Sequence, residues 1–179
     1  MRIVMALTLA VVVVACAPRA TTPFDPVEGA QAFSLLVDGV PAVRAGEAHG
    51  VRTDDYSIDA VLEQDRILID VTNHTDAMLR LHPDQSSFVL PDGSTSPLVT
   101  GATSWDTRDA PQPAIEIPAD LTASVILIPR DSLAWNDGLV IEPMFAWPVT
   151  DVTTLRAVLA MELRGELTEV TLIFTGRPR

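Results

Sequence analysis

Short apolar runs of period two, several closed by a residue pair able to take positive φ, constrain this chain more than anything else in its sequence. Arg66-Ile-Leu-Ile-Asp-Val-Thr72 sends Ile67, Ile69 and Val71 to one face and stops at the turn-like Asn73-His74-Thr75-Asp76. Successive side chains on an extended backbone point to opposite faces, so this alternation predicts a half-buried strand. Phe33-Ser-Leu-Leu-Val37 meets Val40-Pro-Ala-Val43 across Asp38-Gly39, a dipeptide that supplies the left-handed angles of a tight hairpin. Asp92-Gly93 and Asp137-Gly138 repeat the device. Residues 78–81, 87–90, 123–128 and 139–141 are further short β-type runs.

The C-terminus reads as one long hairpin. Leu155, Ala157, Leu159, Met161 and Leu163 line one face of its first arm. Val170, Leu172 and Phe174 line the second, with Arg164-Gly165-Glu166 near the turn. A helix over residues 155–163 is the rival, because Leu, Ala, Met, Glu and Arg are good helix formers. The apolar spacing favours the strand. Many short strands, frequent turn signals and no long amphipathic helix predict an all-β fold, an antiparallel β-sandwich over residues 33–179.

The first 15 residues are of another kind. Met1-Arg2 gives one positive charge, and Ile3 to Val14 follows with only Thr8 as a polar interruption. That length suits the core of a signal peptide and is too short to cross a bilayer as a helix. The run ends Val13-Val14-Ala15-Cys16, which resembles the lipobox of bacterial prolipoproteins, with Val13 where leucine is commonest. The resemblance implies cleavage before Cys16, a diacylglyceryl group on its thiol and often a further acyl chain on the new amine. In that family an aspartate after the cysteine signals inner-membrane retention. Ala17 therefore favours the outer membrane, facing the periplasm or the cell surface. Two or more acyl chains give stable anchoring at about 0.8 kcal/mol per buried methylene. An ordinary secreted protein with an incidental cysteine is the alternative. Cys16 is the only cysteine in the chain, so it has no internal disulfide partner, and a lone free thiol is an odd thing to export. Residues 16–32 carry three prolines and little hydrophobic periodicity, the composition of a flexible tether.

Charge narrows the partners. The chain carries a net charge of −12 and no lysine, and loss of Arg2 with the signal makes it more acidic still. Nucleic acid needs clustered positive charge and is excluded as a partner. Anionic headgroups repel such a domain, so contact with the membrane is expected only through lipid on Cys16. Dispersed acids favour solubility and a monomer.

A second resemblance covers the stretch from Ile67 to Trp135. Ile67-Leu-Ile-Asp-Val-Thr-Asn73-His-Thr-Asp76, then Phe88-Val-Leu-Pro-Asp-Gly93, then Ile117-Pro118-Ala-Asp120 before a strand look like immunoglobulin-like domains of bacterial lipoproteins of unassigned function. Asp120 stands where those domains have glycine. The resemblance implies an immunoglobulin-like sandwich and brings no catalytic residues with it.

Nothing in the sequence spells out catalysis. His49, His74 and His82 have no metal-ligand spacing, and Met78 with His82 reads as a strand residue and a turn residue rather than a copper site. There is no Gly-x-Ser-x-Gly for a serine hydrolase. Asp54-Asp55 is placed in a solvated loop, since neighbours on a strand would face opposite ways. No calcium-loop pattern is present. The domain is therefore expected to be non-enzymatic, without metal or cofactor.

One segment invites a ligand. Residues 100–113 lack strand character, which is long for a sandwich connection, and hold Trp105 beside Asp106, Arg108 and Asp109. A tryptophan among hydrogen-bonding residues suits sugar stacking or a protein hot spot. The plainer expectation is that Trp105 folds back over the open end of the sandwich. Trp135 and Trp147 are placed in the core or at its rim. These readings together describe a lipid-anchored cell-envelope protein that works by protein binding or scaffolding. A carbohydrate- or peptidoglycan-binding module using the Trp105 loop is the alternative.

Overall fold

The structure, a computed structural model, describes residues 32–45, 48–146 and 149–178. The signal segment, Cys16, all of the tether but Ala32, and Trp147 lie outside the described residues.

The strands in chain order are β1 (Ala32–Val37), β2 (Val40–Pro41), β3 (Val43–Ala45), β4 (Ala48–Arg52), β5 (Tyr56–Leu62), β6 (Ile67–Asn73) and β7 (Leu79–Val89). There follow β8 (Thr95–Thr100), β9 (Ile115–Ile117), β10 (Thr122–Pro129), β11 (Leu133–Trp135), β12 (Leu139–Ile141), β13 (Thr153–Leu163) and β14 (Glu166–Arg177). The chain is all-β with antiparallel pairing, as its periodicity predicts, and residues 155–163 are strand rather than helix.

Strand order runs β2-β1-β14-β13-β7-β8-β10-β6-β5-β4-β3, with β9 on the flank of β7 and β11-β12 as a separate ribbon. The path folds over into two layers because β8 serves both. Its first half, Thr95 to Pro97, pairs with β7, and its second half, Leu98 to Thr100, pairs with β10. Only Ala42 separates β2 beside β1 from β3 beside β4, so the run turns the opposite corner in the same way. Ile58 and Ala60 of β5 and Ile67, Ile69 and Val71 of β6 face Leu155, Leu159 and Met161 of β13 and Leu172 and Phe174 of β14 in one buried cluster. Each Val, Leu, Ile, Met or Phe side chain among them contributes about 1.5–3 kcal/mol when removed from water, before conformational entropy is set against it.

Turn chemistry holds the register. Asp38 and Gly39 (φ 49° and 79°) and Arg164 and Gly165 (φ 54° and 81°) form two-residue hairpins of the type that matches strand twist. Asp120 takes φ 58° and closes its turn with Leu121 N–H donating to Pro118 O at 3.2 Å. Aspartate is among the few side chains that tolerate this conformation, so the missing glycine is replaced without loss of the turn. Asn73 ends β6 fully buried and satisfied on every side. Its Nδ2 donates to Ala77 O (2.7 Å) and Ile117 O (2.9 Å), and its Oδ1 accepts from Thr75 N–H (2.9 Å) and the Thr75 hydroxyl (2.8 Å).

Strand β7 is a single element where the sequence suggested two runs. Pairing with β13 shifts between Val158, opposite Ser87, and Ala160, opposite His82, so residues 83–86 bulge against Leu159 alone. Pro83 has no N–H for a ladder, which a bulge accommodates. Ser86 repairs the gap, its hydroxyl accepting from Ala160 N–H (2.9 Å) and donating to His82 O (2.7 Å).

Candidate functional site

The Trp105 loop lies beside that bulge. β8 pairs with residues 87–89 of β7 and β9 with residues 79–81, so the connection between them passes the unpaired stretch. A single 3-10 turn, Trp105–Thr107, forms its middle. Thr103 donates its hydroxyl to Gln112 Oε1 (2.8 Å), Ser104 N–H donates to Thr107 Oγ1 (3.1 Å), and Ala110 N–H donates to Thr107 O (3.1 Å). The loop is thus pinned by its own short polar side chains.

Under the loop is a second, smaller apolar cluster. Leu98 of β8 and Leu127 of β10 belong to the sandwich core. Their neighbours Val99 and Ile128 point the other way and pack with Leu133, under partly buried Trp105 and Ile141. Trp105 therefore folds back, though onto the outer side of β8 and β10 rather than over the open end of the sandwich. The Arg108 guanidinium lies 3.5 Å over its ring and donates to its own-loop Trp105 O at 3.0 Å. A cation over an indole face is worth about 0.5–1 kcal/mol at an exposed site.

Trp135 is not in the core. It sits 59 % exposed on β11, tilted against Trp105 with ring centroids 6.0 Å apart. Leu139, directly opposite it on β12, and Val140 are 41 % and 42 % exposed. Of the four residues singled out in the sequence, Trp105 and Arg108 are half-buried and in contact, while Asp106 and Asp109 face solvent. Trp135 and Leu139 are the members that sequence reasoning missed. Trp135-Asn-Asp-Gly-Leu139 carried the signal, as a hairpin with a large apolar residue at each end of its turn.

On the other side of Arg108 a groove of about 300 Å³ is lined by Asp84 of the bulge, Arg108, Asp109, Gln112 and Arg130, with Leu98 and Val99 of β8. The charges there are loosely paired, Arg108 Nε to Asp109 at 3.5 Å and Arg130 to Asp109 at 3.8 Å and to Asp131 at 3.3 Å.

The histidines lie elsewhere. His82 is a strand residue of β7, not a turn residue, and its Nε2 lies 3.0 Å from Glu162 Oε2 on β13. Arg80 bridges Glu162 (3.0 Å) and Glu116 (3.2 Å). The hydrogen bond with His82 first, and then Arg80, holds the Glu162 carboxyl below the usual range. His74 contacts the Ser57 hydroxyl at 3.2 Å. Asp54 and Asp55 are exposed in the turn before β5. Among the described residues no group of three or more His, Cys, Asp or Glu could hold a metal ion. No family model, curated protein or solved structure matches the chain.

Proposed function

We propose that this is a lipid-anchored protein of the cell envelope whose sandwich, immunoglobulin-like in strand order, acts by binding another protein rather than by catalysis. The observation that carries the reading is the exposed Trp135–Leu139 pair on one face of the β11-β12 ribbon, with Trp105 packed against Trp135. Contiguous apolar surface rimmed by polar residues marks interaction sites, and tryptophan with arginine is the composition of protein hot spots. Lipid on Cys16 would hold this surface at the outer membrane, facing the periplasm or the cell surface. The net charge of −12 keeps the domain off anionic headgroups and away from nucleic acid.

Strand order supports the immunoglobulin-like reading. β5-β6-β10-β8 and β7-β13-β14 follow the A-B-E-D and C-F-G order of a constant-type domain, with β1 added beside β14. Such domains present loops and edges on a rigid frame.

A photo-crosslinking residue at position 135, introduced in cells, tests the reading against the same residue at position 167, where Leu167 is 51 % exposed on β14. A discrete protein adduct is expected from position 135 alone, and it should vanish when Cys16→Ala removes the anchor. Absence of an adduct, or the same adduct from both positions, contradicts the proposal.

The groove beside Arg108 favours a second reading, a glycan-binding module. Its two guanidinium groups, two carboxylates and one amide offer the paired donors and acceptors that vicinal hydroxyls take. Titration with soluble peptidoglycan fragments, followed by tryptophan emission in the wild type and Gln112→Ala, decides it. Saturable binding weakened by the variant supports the glycan.

A further inference from the structure

We infer that the free edge of β12 is the docking strand for an extended segment of another protein, one with apolar residues in its middle and a basic residue at each end. This deepens the protein-binding reading and rests on it. Pairing of Leu133, Ala134 and Trp135 with Ile141, Val140 and Leu139 fixes the register of the ribbon. Bonds from Asn136 N–H to Gly138 O (2.9 Å) and from Glu142 N–H to Ser132 O (2.7 Å) fix which pairs exchange hydrogen bonds. By the alternation of an antiparallel ladder, Ala134 and Val140 also exchange them, whereas Leu139 and Ile141 turn their N–H and C=O groups outward. Among the described residues no strand lies beyond β12. Natural sheets blunt an edge by shortness, charge or proline; this edge is short, at three residues, but Leu139-Val140-Ile141 carries no charge and no proline. Strand addition supplies affinity through the main chain and specificity through flanking side chains. The Trp135–Leu139 pair on one face and Val140 on the other provide those contacts.

Charge selects the occupant. Exposed Asp137 precedes the edge and exposed Glu142 follows it, so both ends of a three-residue strand are acidic. A second copy paired antiparallel about Val140 would bring Glu142 beside Asp137 of its partner at each end. Like charges across a strand pair destabilise it, and a net charge of −12 on each copy adds to the repulsion. Lysine or arginine at the ends of a foreign strand meets the same acids favourably.

Selection of phage-displayed random nonapeptides on the full chain in detergent tests this, with fluorescence polarisation of the synthetic winners. Enriched peptides should alternate apolar residues between basic ends. Trp135→Ala should weaken them about thirtyfold or more, the loss that marks a hot spot. The paired change Asp137→Asn with Glu142→Lys, both at exposed positions and with asparagine tolerating the φ of 52° at position 137, should weaken them about tenfold and should shift the preference away from basic ends, because rim charges set selectivity. Slowed hydrogen exchange of the Leu139 and Ile141 amides in the complex should confirm the edge. No enrichment, peptides without basic ends, an unchanged preference after the paired change, dimer formation by the chain itself, or binding of peptidoglycan fragments at Trp135 instead would each overturn the inference. A crosslinked protein partner from position 135 with the Leu139 and Ile141 amides unprotected would leave the wider reading standing and this one refuted.

Discussion

The sandwich core and the cluster under the Trp105 loop use the same residue types on different terms. In the core, Phe88, Leu155, Leu159, Leu172 and Phe174 are at most 1 % exposed and contact residues from both layers. The smaller cluster has three buried members, Val99, Ile128 and Leu133, and carries Trp135 largely in water. Stability follows apolar area removed from water, so the core holds the fold and the ribbon is held by it. The difference teaches where function can be placed: apolar side chains the fold does not need for stability are available to a partner.

Substitutions can break or sharpen this division. Phe88→Ala empties a fully buried site and should cost about 3–5 kcal/mol, read by denaturant unfolding. Asn73→Ala strands the Ile117 carbonyl and the Thr75 amide, while the Thr75 hydroxyl still reaches Ala77 O at 3.3 Å. Because unpaired buried groups cost about 1–3 kcal/mol each, a loss of about 2–4 kcal/mol is expected by the same measurement. Trp105→Ala removes a half-buried indole and its cation contact, for which about 1–2 kcal/mol is expected. A loss near the Phe88 value would merge the two clusters into one. Trp135→Ala should change stability by under about 0.5 kcal/mol, as at other exposed sites.

Acid should act on the core sheet and leave the ribbon indifferent. Glu162 is held below its ordinary pKa by His82 and Arg80, so the folded state binds a proton there less readily than the unfolded chain. Its contribution is present above the ordinary glutamate value and fades as pH falls through the lower folded one. Urea midpoints against pH should therefore drop less steeply below the glutamate range in Glu162→Gln than in the wild type. Equal acid limbs would show that the ion group on β7 and β13 does no such work.

How much was legible follows from what each element needed. β6, β10, β13 and β14 declared themselves because one face is buried and the other wet, which forces period two into the sequence. Tyr56, Ile58, Ala60 and Leu62 of β5 carry the same signal, masked by the turn-rich residues 53–55 beside them. β7 reads as two runs because Pro83 forbids a regular ladder, and the Ser86 hydroxyl that mends it acts through a contact with Ala160, 74 positions away. β8 escaped because it changes layers halfway, so neither half is long enough to show a period. At the site, the tryptophan loop was visible as a long connection with Trp105, Arg108 and two acids. That Arg108 covers Trp105 while Trp135 stays open depends on β8, β10 and β11 meeting in space, which no local pattern encodes.

Native-state hydrogen exchange resolved by residue tests the division most directly. Local opening frees amides at a lower cost than global unfolding wherever few buried contacts hold an element. Val140 and Ala134 in the ribbon should exchange through such local opening, insensitive to Phe88→Ala, whereas Ile69, Leu159 and Leu172 should exchange only with global unfolding and lose protection in step with that variant. Equal protection in both regions, falling together in Phe88→Ala, would contradict the account and make the ribbon part of the core.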